Sequence, residues 1–203
     1  MAARDQVTRG SLLDRLAHDG RGGFRRGDDR FLLIRPETLV GVQHAVERVL
    51  GARAAECFVE GGRTGGARAL RSFTGSAEER ARALTAMAAD LGWGTLTLET
   101  LTPTSFVVAG SNSPFPGAHA ATGDPVCHLT RGVLEALAEN LFGSGARVVE
   151  THCEAIGAPS CRFEAVVDAS SHPARAGGAA DASSGPARIG GEMGGTSRPP
   201  HSP

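Results

Sequence analysis

One stretch, PVCHLTRGVLEALAENLFGSGARVVETHCEAIGAPSCRFEAVV at 125–167, constrains this chain more than any other. It carries three of the four cysteines, and Glu150, Cys153 and Cys161 follow Cys127 at offsets of 23, 26 and 34 residues. A thiol ahead of an apolar-periodic run, a carboxylate and two further thiols around a turn would supply the four ligands of a closed tetrahedral zinc site. Sulfur-rich ligation favours zinc over magnesium or calcium, which prefer oxygen. Such a closed site is structural, because a catalytic zinc keeps one position for water. The spacing carries one geometric demand. Glu150 and Cys153 lie three residues apart and would point to opposite faces of an ideal strand, so the strand must bulge, twist or end between them.

Each of these residues taken alone also has a plainer reading. A cysteine in a strand is commonly a small buried hydrophobe, and a glutamate is commonly solvated. His128 and His152 adjoin the candidate ligands. His152 shares strand parity with Glu150 and could replace it as a ligand, the alternative being a supporting or surface role. Cys57 stands apart in sequence and is expected in the buried face of a helix.

Composition removes several functions. Every basic residue is Arg, and the net charge of −1 gives no electrostatic case for binding nucleic acid. The first 35 residues, with eight Arg against five Asp, read as a solvated end. No apolar run has the length of a bilayer span or a signal peptide, so a cytoplasmic protein is expected. In that reducing setting the cysteines are expected to be metal ligands, catalytic groups or buried small residues and not disulfides.

Along the chain, residues 4–20 fit a short amphipathic helix carrying Leu12, Leu13 and Leu16, and 21–30 read as a loop. Phe31 to Ile34 suits a strand or a buried lead-in. Pro36 opens a helix that Gly51 ends, with Leu39, Val42, Val46, Val49 and Leu50 on one face. A second helix over 54–72 is interrupted by Gly61-Gly62 and Gly65-Gly66, which imply close helix packing or a local break. Ser76 with Glu79 forms a capping box for a helix to Asp90 with Leu84, Met87 and Leu91 inward. Residues 93–100 and 104–109 alternate as a hairpin, 112–125 read as a loop, and a helix spans 126–142. Residues 146–153 and 161–167 then pair as strands. The fold class is α+β, with helices packed on an antiparallel sheet. From Asp168 to Pro203, 25 of 36 residues are Gly, Ala, Ser or Pro, the composition of a disordered tail.

No G-x-G-x-x-G follows a strand, no G-x-x-x-x-G-K-[ST] occurs, and no G-x-S-x-G elbow is present. What remains is a resemblance. The segment Asn112-Ser113-Pro114-Phe115, then Cys127 before a helix, then Glu150, Cys153, Gly157, Cys161 and Phe163 resemble the C-terminal half of the 4-vinyl reductase domain family, and the likeness extends more loosely over 31–167. This would make 1–30 an N-terminal extension, 31–167 the small-molecule-binding domain and 168–203 the tail.

The resemblance implies zinc held by Cys127, Glu150, Cys153 and Cys161, as in the phenol-sensing activators that carry such a domain. It also implies a stand-alone protein of bacteriochlorophyll biosynthesis acting at the 4-vinyl reduction of divinyl chlorophyllide, as a reductase or as a tetrapyrrole-binding accessory or carrier. Hydride chemistry would need a donor, and no nicotinamide or flavin motif is visible. Arg35, Arg63 and Arg68 are candidate partners for a porphyrin propionate. The alternatives are a stand-alone sensor or adaptor for a small aromatic and a scaffold using the fold for dimerisation. A homodimer is expected under all three, because the 36–50 helix offers more apolar face than one small core can bury.

Overall fold

The glycine pairs at 61–66 are where two helices meet. The computed structural model describes residues 13–119, 123–143 and 145–167. After a 3-10 turn at Leu13–Arg15, strands β1 (Ala17–His18), β2 (Phe24–Arg26) and β3 (Asp29–Phe31) form a small antiparallel sheet. Helices α1 (Pro36–Leu50), α2 (Ala54–Leu70) and α3 (Ala77–Asp90) follow, then strands β4 (Thr95–Leu101) and β5 (Ser105–Ser111). The short helix α4 (Pro114–Ala118), the long helix α5 (His128–Phe142) and strands β6 (Ala146–His152) and β7 (Cys161–Val167) complete the order.

Helices α2 and α5 are in closer contact than any other two elements. A Cβ on Gly62 would stand 2.1 Å from the Leu129 carbonyl oxygen, and one on Gly132 would stand 2.0 Å from that of Val59. Neither position admits a side chain. Gly62 and Gly66 of α2 are therefore a packing surface, and the helix runs through all four glycines without a break. Arg63 of α2 adds an ion-pair cluster to Glu135 and Glu139 of α5 and to Glu60. This contact fixes α5, and with it the position of Cys127 at the helix entrance.

The main sheet has the order β4-β5-β7-β6, antiparallel throughout. Period-2 alternation sends Leu96, Leu98, Phe106, Val108, Phe163, Ala165, Ala146 and Val148 into the core. Helix α3 lies against β4, and α5 against β6 and β7. The α+β reading thus holds, as do the hairpin, the α5 helix and the β6–β7 pair. Ser76 makes the capping box, its hydroxyl accepting from the Glu79 amide while the Glu79 carboxylate accepts from the Ser76 amide.

Several expectations fail. Residues 13–18 form a 3-10 turn and a strand instead of the end of a helix; 4–12 lie outside the described residues. The segment 21–30 is not a plain loop, because Gly27 at φ +58° lets β2 fold back on β3. Leu32 and Leu33 are neither strand nor buried, being 79% and 66% exposed. On α1 the buried positions are Val40 and Gln43, while Val42 and Val49 face outward. The expected stripe is offset because α1 meets α2 and α4 along a narrow strip. Leu91 is exposed, not inward, and 112–125 contains α4. Cys57 is exposed on α2. The tail at 168–203 lies outside the described residues.

Candidate metal centre

The parity problem between Glu150 and Cys153 is solved by a bulge. Glu150 pairs with Phe163 and His152 with Arg162, so Thr151 is an extra residue in β6. The insertion turns His152 outward and brings Cys153, just past the strand end, to the side that Glu150 already faces. The turn that follows, with Gly157 at φ +88°, leads back to Cys161 at the start of β7. All three cysteines are fully buried, and Glu150 is 8% exposed.

The donor atoms of Cys127, Glu150, Cys153 and Cys161 lie within 4.8 Å of one another, and these four residues could hold a metal ion. The Cys127 sulfur is 4.0 Å from that of Cys153 and 3.7 Å from that of Cys161. These are not disulfide distances. Thiolates at about 2.3 Å from a tetrahedral ion stand roughly 3.8 Å apart, the spacing found here. Glu150 divides its two oxygens between roles. Oε2 accepts from the Cys127 backbone N–H at 3.0 Å, at the entrance of α5, whereas Oε1 is buried with no hydrogen-bond partner. An orphaned carboxylate oxygen beside three sulfurs is what a cation would satisfy.

The electrostatics agree. Burial pushes the Glu150 carboxyl up to about 8. Contacts with the Cys153 and Cys161 sulfurs, then burial, raise Cys127 far above the ordinary thiol range. Cys161 is drawn down by its contact with Cys127, but the Cys153 sulfur and burial outweigh this and push it up to about 12. Cys153 is lowered, first by its contacts with Cys127 and Cys161 and further by the Val126 and Ala155 amides. Without a cation the cluster concentrates its charge on one sulfur; a divalent ion would let all four donors ionise. Cys127 also precedes the first turn of α5, where the helix dipole favours negative charge.

His152 is exposed, shares a hydrogen bond with the Thr151 hydroxyl at 3.1 Å and does not join the cluster. His128 is half-buried at the start of α5. Ser113, quoted above only within a motif, places its hydroxyl 3.7 Å from the Cys127 sulfur; Pro114 at the start of α4 holds it there.

A second feature lies on the far side of the α2–α5 contact. A cavity of about 340 Å³ is lined by the α2 glycines, Leu39, Leu84, Met87, Ala88, Leu91, Trp93, Leu129 and Val133. Gly65 faces open space, with nothing within 4 Å of where a Cβ would stand. Trp93 is the one lining residue whose side chain carries an N–H or O–H group. Sequence reasoning missed the cavity, since it depends on where α1, α2, α3, α5 and the turn after α3 converge. Arg35, Arg63 and Arg68 do not line it; they pair with Glu37, with the glutamates of α2 and α5, and with Asp29.

The sheet, α5 and the cysteine cluster place the chain among known proteins. Residues 106–167 match the V4R domain model. That segment holds all four candidate ligands. The phenol-responsive sensory domain of the transcription activator PoxR, solved with phenol, aligns with 20% identity and a TM-score of 0.69, over 77% of this chain and 86% of that one; the likeness is one of fold. A vinyl-4-reductase family protein from Methanocaldococcus jannaschii aligns with 20% identity and a TM-score of 0.49, over 70% of this chain and 86% of that one. The uncharacterized protein MJ1642 of the same organism is 40% identical over 42 residues, 21% of this chain. The chain spans 26% of the length of that curated relative. No helix among the described residues is long and apolar enough to cross a membrane.

Proposed function

We propose that this chain is a small-molecule-binding module in which zinc, held by Cys127, Glu150, Cys153 and Cys161, ties β6 and β7 to the entrance of α5, and that it takes a small aromatic ligand into the cavity between α2, α3 and α5. Zinc is the ion that suits three thiolates and one carboxylate at these spacings. Its part is structural: four protein donors leave no position for water.

The observation that carries the ligand class is the cavity itself. At about 340 Å³ it lies near the small end of the roughly 300–1,000 Å³ range of small-molecule sites. Its wall is apolar except for one indole N–H, which suits a single ring bearing one oxygen acceptor, such as a phenol. The fold shared with a sensory domain solved with phenol supports the same reading. Sensing or adaptor work is then the role, with the ligand ordering the α2–α3 side.

A second reading rests on the sequence resemblance, handling of a vinyl-bearing tetrapyrrole in bacteriochlorophyll synthesis, and the V4R match over 106–167 is compatible with it. A macrocycle of four pyrroles exceeds this cavity and would need α3 to move away. One experiment separates the two. Phenols and a chlorophyllide are each added to the zinc-loaded chain, and melting temperature and pigment absorption are recorded. Stabilisation by a phenol, growing with concentration as expected for binding to the folded state and lost in Gly65→Leu, supports the sensor. A shifted Soret band without any response to phenols moves the assignment to the pigment. Neither response removes both.

A further inference from the structure

Beside the entrance of α5, where Pro125, Val126 and His128 flank Cys127, histidines from three elements face one polar pocket of about 540 Å³: His44 of α1, His119 after α4 and His128 of α5. Glu47 and Asp124 line it as well, and no arginine does. His119 is fixed in place. Its Nδ1 lies 2.8 Å from the Phe115 carbonyl oxygen. A carbonyl can only accept, so Nδ1 carries the proton and Nε2 keeps its lone pair. That Nε2 is buried and has no hydrogen-bond partner among the described residues. The missing partner must be a donor or a cation.

The neighbours narrow the choice. The His44 ring packs edge-on against His119, with centroids 4.8 Å apart at 87°. Glu47 follows His44 by three residues, on the same side of α1. One Glu47 oxygen accepts from the buried Gln43 amide at 2.9 Å. The Phe115 carbonyl behind His119 is an outer partner of the kind that orients an imidazole ligand and raises its basicity, and the Gln43 amide holds Glu47 in place. An anion would meet Glu47 and Asp124, and magnesium or calcium would meet imidazole where they prefer oxygen.

We propose that His44, Glu47 and His119 form a second cation site for a borderline first-row ion such as Zn²⁺, Co²⁺ or Ni²⁺, distinct from the cysteine cluster and independent of the ligand reading above. Among the described residues only the cysteine cluster has its donors already gathered, so the imidazoles draw together as the ion arrives. With three protein donors and an open pocket, water completes the coordination. The site is therefore exchangeable and weaker than the buried one.

The test uses the full chain with its tightly held metal left in place, titrated with Co²⁺ and followed by calorimetry and visible absorption. One further ion per chain is expected, with weak visible bands and no new thiolate charge-transfer band in the near ultraviolet. His119→Ala and His44→Ala should each weaken this uptake about tenfold or more while the tightly held metal and the melting curve stay unchanged. His44→Ala keeps the Phe115 contact and carries the test should His119→Ala melt early. Were the cysteine cluster to hold no metal, the histidine-dependent ion would be the single one bound. Uptake of no histidine-dependent ion, or wild-type uptake in both variants, overturns the proposal.

Discussion

The β6–β7 pair and α1 carry comparable runs of apolar residues and end up in different states. On the strands, Val148, Phe163 and Ala165 are buried at alternate positions, and Glu150 and Cys161 share their side. On α1, Val40 is 3% exposed and Val49 81%, although both belong to an apolar helix. The difference lies in how many partners fix each element. Strands β6 and β7 are held by each other and by α5, with β5 beyond β7, so one register decides every side chain. Among the described residues, helix α1 meets α2 and α4 and buries Val40 and Gln43, and an apolar arc wider than that covered part says nothing about which residues are covered.

The sharpest test of that contrast removes one ligand. Cys153→Ala should abolish the tightly held metal and the cooperative melt. Structural zinc contributes on the order of 10 kcal/mol to folding, against a total stability of roughly 5–15 kcal/mol for a domain. Calorimetry with metal analysis checks it. A soluble variant with unchanged metal content and melting temperature would show that the cluster is ordinary core.

The next effect compares two glycines that face different neighbours. Gly132→Ala drives a methyl group into the Val59 carbonyl, 2.0 Å away. Neither backbone can yield cheaply, so a loss of about 3 kcal/mol is expected, the upper end of overpacking costs. Gly65→Ala meets nothing within 4 Å and should stabilise by up to about 1 kcal/mol through helix propensity. Urea unfolding of the two variants measures both. Equal effects would mean that the glycines act only through backbone entropy.

These glycines also mark how far the sequence could be read. The gathering of Cys127, Glu150, Cys153 and Cys161 into a cluster that could hold a metal ion was legible from spacing, because four chemically matched residues constrain one another. The strand bulge was legible as a requirement, since Glu150 and Cys153 could not otherwise share a side. Gly61-Gly62 and Gly65-Gly66 announced close packing or a break, but not the partner; that needed Gly132 on α5, about 70 residues on. The β2–β3 hairpin was hidden because its strands are short and mostly charged, with Phe24 and Phe31 as the only apolar residues. The His44–His119 contact joins residues with no common motif, and the apolar cavity is a property of four helices together.

Acidity should act on the metal centre and leave α1 untouched. In the metal-free chain, burial sets Glu150 at about 8, so below that pH a proton must leave as the ion binds. The sign follows: affinity is highest above pH 8 and is lost as pH falls, by about tenfold per unit from this carboxylate alone, with the thiols adding to it. Chelator competition at pH 8, 7 and 6 measures the slope, and Glu150→Gln should reduce it by about one proton while the thiol part remains. A slope unchanged in Glu150→Gln would mean that Glu150 is not a ligand.

The smallest effects probe α1 itself. Val40→Ala removes buried methyl groups and should lower stability by roughly 2 kcal/mol. Val49→Ala removes two methyls that face outward, and its effect should stay within about 0.5 kcal/mol, tending to stabilise because alanine is the better helix former. Chemical denaturation at several protein concentrations decides more than this pair of numbers. If Val49→Ala costs more than about 1 kcal/mol, and only at high concentration, the outer face of α1 is covered by a second copy of the chain, since an association linked to folding makes stability depend on concentration. If the cost is absent at every concentration, α1 is a helix whose apolar arc exceeds its strip of contact, and the homodimer expected from that arc must be sought on another surface.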